Sequence, residues 1–235
     1  MGFYPERLSI PNIKLGVRMN LETQQSLSLI DGLHSTPARR YLSKQSIDDA
    51  IIWDILNTAI RGPSGGNSQR WGWIVIKDQN IKNQIADWYR KGWNHSYGVK
   101  RESVIQGTDV SNTLGLKNYL SAEHLANHLE EAPVWIIAVL CNMAASSNPR
   151  SGSSIYGAIQ NLMLAARAYG IGSTLTTLYS GHESEVKKLL SIPEDAMTMA
   201  LIPLGYPNQG KWAQPKRQSV EKVTHWDSWG NQRPH

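Results

Sequence analysis

The order of apolar patterns predicts an α/β or α+β domain in which helices cover a sheet on both faces. Three observations carry this. Stretches with apolar residues at helical spacing alternate along the chain with short, nearly continuous apolar runs. One such run, VWIIAVL at residues 134–140, has no polar side chain, which suits a strand covered on both faces. The chain has 235 residues, 40% apolar and 18% charged, enough for a large core in a single domain.

Residues 1–22 read as an irregular N-terminal arm, because Pro5 and Pro11 interrupt any regular element, and residues 23–235 as one domain. Leu27, Leu29 and Ile30 place a short helix at 23–33. Ser46 followed by Asp49 resembles a capping box ahead of a helix carrying Ile51, Ile52, Ile55, Leu56 and Ala59. That helix stops at Gly62 and Pro63, where the stretch RGPSGGNSQRWGW (61–73) begins. Residues 73–77 read as a strand, and Ile81, Ile85 and Trp88 as one face of the next helix. From 92 to 117 the pattern decays into Gly, Ser, Asn, Thr and mixed charge, the mark of a lid or binding loop.

A helix at 119–131 leads into the 134–140 strand, and a Ser/Asn-rich loop spans 142–154. Residues 155–169 form the strongest helix. Its apolar positions run nearly all round, so it is expected to be buried on most sides, with a subunit interface adding to the cover. Gly170 and Gly172 close it. Residues 173–178 are β-prone, 183–190 a short helix, 197–204 a strand, and 220–226 a final strand or a tail.

The formal charge of +5 favours anionic partners. The cations are scattered, with no basic run interleaved with aromatics, so a phosphate-bearing small molecule ranks above nucleic acid. Nine tryptophans against one phenylalanine supply flat apolar area with a polar edge. A lone Cys141 rules out a disulfide framework or zinc cluster within one chain. The N-terminus has no continuous apolar region, and no run approaches the roughly 20 apolar residues of a membrane span. A cytoplasmic protein without a membrane partner is expected.

Side-chain chemistry finds little support. Gly65-Gly66 is not followed by the Gly-Lys-Ser/Thr of a phosphate loop, and Gly170-Ile-Gly172 lacks the third glycine of a dinucleotide fingerprint. His124 and His128 lie four apart without an intervening Glu or an evident third ligand, so no metal is expected. Ser64 is not in a nucleophile elbow, and Cys141 sits in an apolar run. Chemistry therefore falls to a cofactor. The cation pairs Arg39-Arg40 and Lys216-Arg217 would make a phosphate site if folding joins them. Thr176 and Thr177 can offer hydroxyls and backbone N–H groups to a ligand edge. The glycines and small polar residues of 63–67 allow close approach of a flat ligand.

Four segments resemble the nitroreductase superfamily of FMN-dependent enzymes, in the family's order. TPARRYLS (36–43) resembles its N-terminal flavin-phosphate motif, and GPSGGNSQRW (62–71) its Pro-Ser-x-x-Asn-x-Gln-Pro-Trp loop. IQNLMLAARAYGIG (159–172) resembles the helix of its dimer core, and IPLGYP (202–207) with PKR (215–217) its late strand and basic tail. The resemblance implies an α+β sandwich with a mixed central sheet flanked by helices, in an intertwined homodimer with FMN at the interface.

It further implies that Arg40 and Arg217 hold the FMN phosphate, with Thr36, Arg39 and Lys216 nearby. Pro63, Ser64, Gly65 and Asn67 would line the isoalloxazine or ribityl side, and Thr176 and Thr177 the flavin's N5/O4 edge. No side chain is assigned a catalytic role, because hydride chemistry belongs to FMN N5. NAD(P)H and an electron-poor acceptor, a nitroaromatic or a quinone, would alternate in a ping-pong reaction under a lid at 92–117, with Arg70, Trp93 and Tyr97 facing the acceptor. Two positions depart from the family pattern: Thr36-Pro37 stand where Arg-Arg is common, and Arg70 where proline is common. The lid lacks the Glu-x-x-x-Tyr and following Lys of the superfamily's reductive deiodinases. Flavin sequestration without turnover, or a dehydrogenating activity, uses the same FMN contacts.

Overall fold

The computed structural model describes residues 27–107, 113–143 and 149–233. Its elements in chain order are α1 (Leu29–His34), α2 (Asp49–Ala59), β1 (Trp71–Ile76), α3 (Gln79–Ser96), α4 (Arg101–Gln106) and α5 (Thr113–His128), followed by β2 (Val134–Leu140), α6 (Tyr156–Ala168), β3 (Gly172–Ser173), α7 (Glu183–Leu189) and β4 (Met197–Gly205). The strands form one sheet in the order β1-β2-β4-β3.

The apolar run predicted as a doubly covered strand is the centre of the molecule. β2 pairs with β1 on one side and β4 on the other, and every one of its residues is buried. Successive side chains alternate between faces, so Trp135, Ile137 and Val139 enter a core with Ile85, Tyr89 and Trp93 of α3 and Leu125 of α5. Val134, Ile136, Ala138 and Leu140 enter the opposite core with Ile52, Ile55 and Leu56 of α2 and Ile159 and Leu162 of α6. Each such aliphatic side chain contributes roughly 1.5–3 kcal/mol of burial. Helices therefore cover both faces, as the alternating pattern predicts.

All three ladders are antiparallel. The parallel pairing of a mixed sheet is not found among the described residues. The neighbouring strands are not joined by tight turns: α3 to α5 lie between β1 and β2, and α6, β3 and α7 lie between β2 and β4. Antiparallel pairing with long helical connections is what lets one sheet be buried on both sides.

The segment expected to be irregular from residue 92 is largely helical. The stripe Ile81, Ile85, Tyr89, Trp93 recurs every fourth residue straight through Gly92, and α3 continues to Ser96. Gly92 is a packing glycine, since a Cβ there would lie 1.9 Å from the Leu178 carbonyl oxygen. α4 and α5 follow, so few of the described residues between 92 and 117 are without helical structure. The cap of α2 is also two positions away from expectation: Asp48, not Ser46, accepts the Ala50 N–H at 2.7 Å.

α6 buries one face through Ala158, Ile159, Leu162 and Ala166, while Tyr156 stays exposed. Within one chain most of its other residues are half-buried, and only Tyr156, Gln160 and Ala168 of the helix are exposed. In the β-prone stretch, β3 is confined to Gly172–Ser173, with a further bridge from Thr176 to Leu201. Residues Val220–Val223 form a 3₁₀ turn and not a strand. The N-terminal arm, residues 1–22, lies outside the described residues.

Candidate functional site

Arg40, Tyr89, Trp93, Tyr97, Tyr119 and the strand-like segment from Thr174 to Leu178 line a cavity of about 370 Å³. The stripe of α3 that packs on the sheet ends in this wall, so the same periodicity that builds the core delivers Tyr89 and Trp93 to the site. The Tyr89 and Thr176 hydroxyls are hydrogen-bonded at 2.8 Å. The Thr176 backbone is spent on Leu201, donating at 3.0 Å and accepting at 2.9 Å. Trp93 stacks on Tyr97 at 5.0 Å and leans against Tyr119 at 5.4 Å, and the Tyr119 hydroxyl donates to the Tyr97 carbonyl at 3.1 Å.

Arg40 is half-buried and also lines a neighbouring cavity of about 200 Å³ with Arg39, Tyr41, Ser121, Gln209 and Gly210. Among the described residues it has no ion-pair partner. Burial pulls its guanidinium below the ordinary arginine value, which still leaves it charged. Burial pushes the Tyr89 phenol up, against the opposing pull of the Thr176 hydrogen bond and the Arg40 charge, so this hydroxyl stays neutral.

Arg39, the neighbour of Arg40 in sequence, does something different. Its guanidinium donates to the carbonyls of Lys211 at 2.8 Å, Gly210 at 3.0 Å and Gln209. It is buried and committed to the C-terminal segment. Thr36 is likewise engaged, its hydroxyl donating to the Gly32 carbonyl at 2.5 Å and closing α1. Lys216 and Arg217 are exposed, Arg217 donating only to the Lys216 carbonyl at 3.0 Å, and neither lines the two cavities at Arg40.

Pro63, Ser64, Gly65 and Asn67 make a separate turn against the start of α6. The positive φ of Gly66 (58°) and Asn67 (51°) turns the chain sharply, and Ser64 accepts the Gln69 N–H at 3.1 Å. The Gly65 N–H donates to the Ser154 hydroxyl at 3.1 Å. A Cβ on Gly62 would lie 2.6 Å from the Ala158 nitrogen, so this glycine permits the loop to cross α6 closely. Arg70 does not line the aromatic cavity and donates to the Asn142 carbonyl at 2.9 Å. The fold thus gathers Arg40, Trp93, Tyr97, Thr176 and Thr177 and leaves the 63–67 turn as a second, exposed group.

With this geometry in place, comparison with known proteins decides the family: the model of the nitroreductase family matches residues 34–206. The chain belongs to the nitroreductase family. It is 25% identical over 182 residues to an iodotyrosine deiodinase of Thermotoga neapolitana, covering 77% of this chain and 89% of that one. Its fold matches a crystal structure of iodotyrosine deiodinase bound to FMN and 3-iodo-L-tyrosine with TM-score 0.65 and 23% identity, over 85% of this chain and all (100%) of that one. It also matches an FMN and NADPH-dependent nitroreductase, NfnB from Sphigopyxis sp. strain HMH, with TM-score 0.64 and 17% identity, over 86% of this chain and 100% of that one.

Several residues in and around the candidate site escape a reading of the sequence. Tyr89 continues the α3 stripe four residues after Ile85 and looks like any core aromatic until its hydroxyl is seen to meet Thr176. Ser154 and Trp212 reach their partners from 89 and 173 residues away in sequence, so no local pattern could find them. His124 and His128 lie with ring centroids 4.5 Å apart, and His124 stacks on Tyr41 at 4.2 Å. Among the described residues no cluster of three or more His, Cys, Asp or Glu could hold a metal, and no helix is long and apolar enough to cross a membrane.

Proposed function

We propose that this chain is an FMN-dependent oxidoreductase that takes electrons from NAD(P)H and passes them to a flat, electron-poor acceptor such as a nitroaromatic or a quinone. The observation that carries the reading is Arg40, half-buried, free of carboxylates among the described residues, and standing in the wall between two cavities. A cation held in that way suits a phosphate. The larger cavity, walled by Tyr89, Trp93, Tyr97 and Tyr119, lies in the size range of small-ligand sites and suits a flat ring.

When bound, FMN supplies the hydride chemistry. The chain's residues hold and orient it: Arg40 with Arg217 and Lys216 for the phosphate, and Pro63, Ser64, Gly65 and Asn67 for the ribityl or ring side. Thr176 has its N–H and hydroxyl bonded already, so Thr177 is left to meet the ring edge. Trp93 and Tyr97, at the C-terminal end of α3, border the acceptor. Because the 63–67 turn lines neither Arg40 cavity, a site using both groups is completed by a second copy of the chain. Trp53 on α2 and Leu29 and Ile30 on α1, 73%, 73% and 61% exposed, offer apolar surface for that homodimer. Two fold neighbours, the deiodinase bound to FMN and the FMN and NADPH-dependent nitroreductase, support the cofactor.

Anaerobic stopped-flow tests the activity. The purified protein is expected to be yellow and its oxidised flavin band to bleach on addition of NADH or NADPH. No bleaching with either donor overturns the reductase and leaves flavin sequestration. A colourless protein that takes up no FMN overturns the cofactor itself.

One observation favours a second reading, reductive dehalogenation of an aromatic amino acid. A further cavity of about 500 Å³ that Trp93 also lines includes Arg101 and Glu123, which pair at 2.7 Å. A cation and a carboxylate side by side can meet the two ends of a zwitterion. Titrating the yellow protein with 3-iodo-L-tyrosine separates the readings: a perturbed flavin spectrum supports the second, an unchanged one removes it.

A further inference from the structure

The C-terminal segment is tied to the body of the fold at successive points. Pro207 bridges to Leu42, and the Asn208 N–H donates to the Tyr41 carbonyl at 3.2 Å. Arg39 then holds the next three carbonyls, those of Gln209, Gly210 and Lys211. Gly210 has φ 72°, and a Cβ on it would lie 3.3 Å from Arg39 Nη1, so the turn is moulded to the guanidinium. Trp212 is the last tie, with the Arg167 guanidinium 4.0 Å and the Arg39 guanidinium 4.9 Å from its ring centroid.

Past Trp212 the hydrogen bonds among the described residues are local. Arg217 donates to the Lys216 carbonyl, the Thr224 hydroxyl to the Val220 carbonyl, and Gln232 to the Lys222 carbonyl, while Arg233 pairs with Asp227. The clamp itself is unusual for a packing contact. It brings two arginines onto one indole with no carboxylate in ion-pair distance of either among the described residues. Arg167 Nε is buried without a hydrogen-bond partner. The negative face of the ring is what the two cations share, and an aliphatic side chain there would leave them facing each other without compensation.

We propose that Trp212 is a positioning residue: with the Arg39 and Arg167 guanidinia over its ring, it fixes where the tail starts, so that Lys216 and Arg217, which stand outside the Arg40 cavities in the chain by itself, come within reach of a phosphate bound beside Arg40. Four and five residues separate it from that basic pair, a reach of no more than about 18 Å for extended chain. The inference rests on the FMN reading above. It also accounts for why Arg39 is diverted from the phosphate: its task is to anchor the segment that carries the second phosphate cation.

The test uses the full-length chain, with FMN as titrant after flavin removal, in Arg217→Ala, Trp212→Ala, the double variant and Trp212→Phe. Arg217→Ala and Trp212→Ala are each expected to weaken FMN binding about tenfold or more. The double variant is expected to lose no more than either single one, because Trp212 acts through Arg217. Trp212→Phe keeps a π-face and is expected to recover most of the affinity, which also guards against a folding failure in the alanine variant. Tryptic cleavage at residues 211–217 is expected to quicken in Trp212→Ala and not in Arg217→Ala. Additive losses in the double variant, or wild-type FMN affinity in Trp212→Ala, overturn the inference. Wild-type affinity in Arg217→Ala overturns the phosphate reading instead, and the cleavage rate then still decides whether Trp212 holds the tail.

Discussion

The hydroxyls of Tyr89 and Thr176, 87 residues apart in sequence, meet at 2.8 Å and tie α3 to the segment that follows β3. This bond lies in the wall of the cavity that Arg40 also lines, so one contact joins the core helix to the segment that carries Thr176 and Thr177. Tyr89→Phe and Thr176→Val are each expected to cost about 1 kcal/mol of stability, with a positive coupling in the double variant. Urea denaturation of the four proteins measures this, and strictly additive losses would show that the two hydroxyls do not interact.

The adjacent arginines should respond in opposite ways. Arg40→Ala is expected to weaken FMN retention about tenfold or more while leaving the urea midpoint close to wild type. Arg39→Ala removes three hydrogen bonds from buried surroundings and is expected to cost roughly 2–3 kcal/mol of stability. Flavin content after gel filtration and denaturation curves, measured on both variants, separate the two roles.

Gly92→Ala should be among the most damaging small substitutions in the chain. The added methyl would lie 1.9 Å from a backbone oxygen that has no side-chain freedom to yield. A loss of about 3 kcal/mol or more, or failure to fold, is expected. Gly181→Ala is the control, because nothing lies within 4 Å of its Cβ position. Soluble yield and thermal midpoint of the pair check the prediction.

The Tyr169 hydroxyl at the end of α6 donates to Asp54 of α2, and that bond, with burial and the carboxylate charge, pushes the phenol from 10 up to about 12. Between those values the folded chain keeps a proton that the unfolded chain has lost. Stability contributed by this group is therefore complete below pH 10 and lost as pH rises toward 12. Urea midpoints followed across this range should fall less steeply in Tyr169→Phe than in wild type.

Much of the fold was legible because it follows from local pattern. VWIIAVL has no polar residue to face water, so β2 had to be central and covered twice. The helix at 92–96 was obscured by a glycine whose reason is a contact with Leu178, far along the chain. At the site, Arg40 and the threonine pair could be picked out by residue type. Arg39 could not be told from Arg40 by type alone, since both are arginines in one loop and only the partners differ.

By itself, then, the sequence determined the alternation of helices and strands, the doubly buried strand, the paired cations and the segments that resemble an FMN family. Those features depend on residues within a few positions of one another, where periodicity and charge act directly. Only the tertiary structure decided that Arg39 grips carbonyls at 209–211 while Arg40 lines two cavities without an ion-pair partner among the described residues, that Tyr89 meets Thr176, and that the 63–67 turn is not part of the aromatic cavity's lining. Each of these is a contact between distant segments, and its outcome depends on which backbone the fold brings alongside a side chain that the local sequence leaves free.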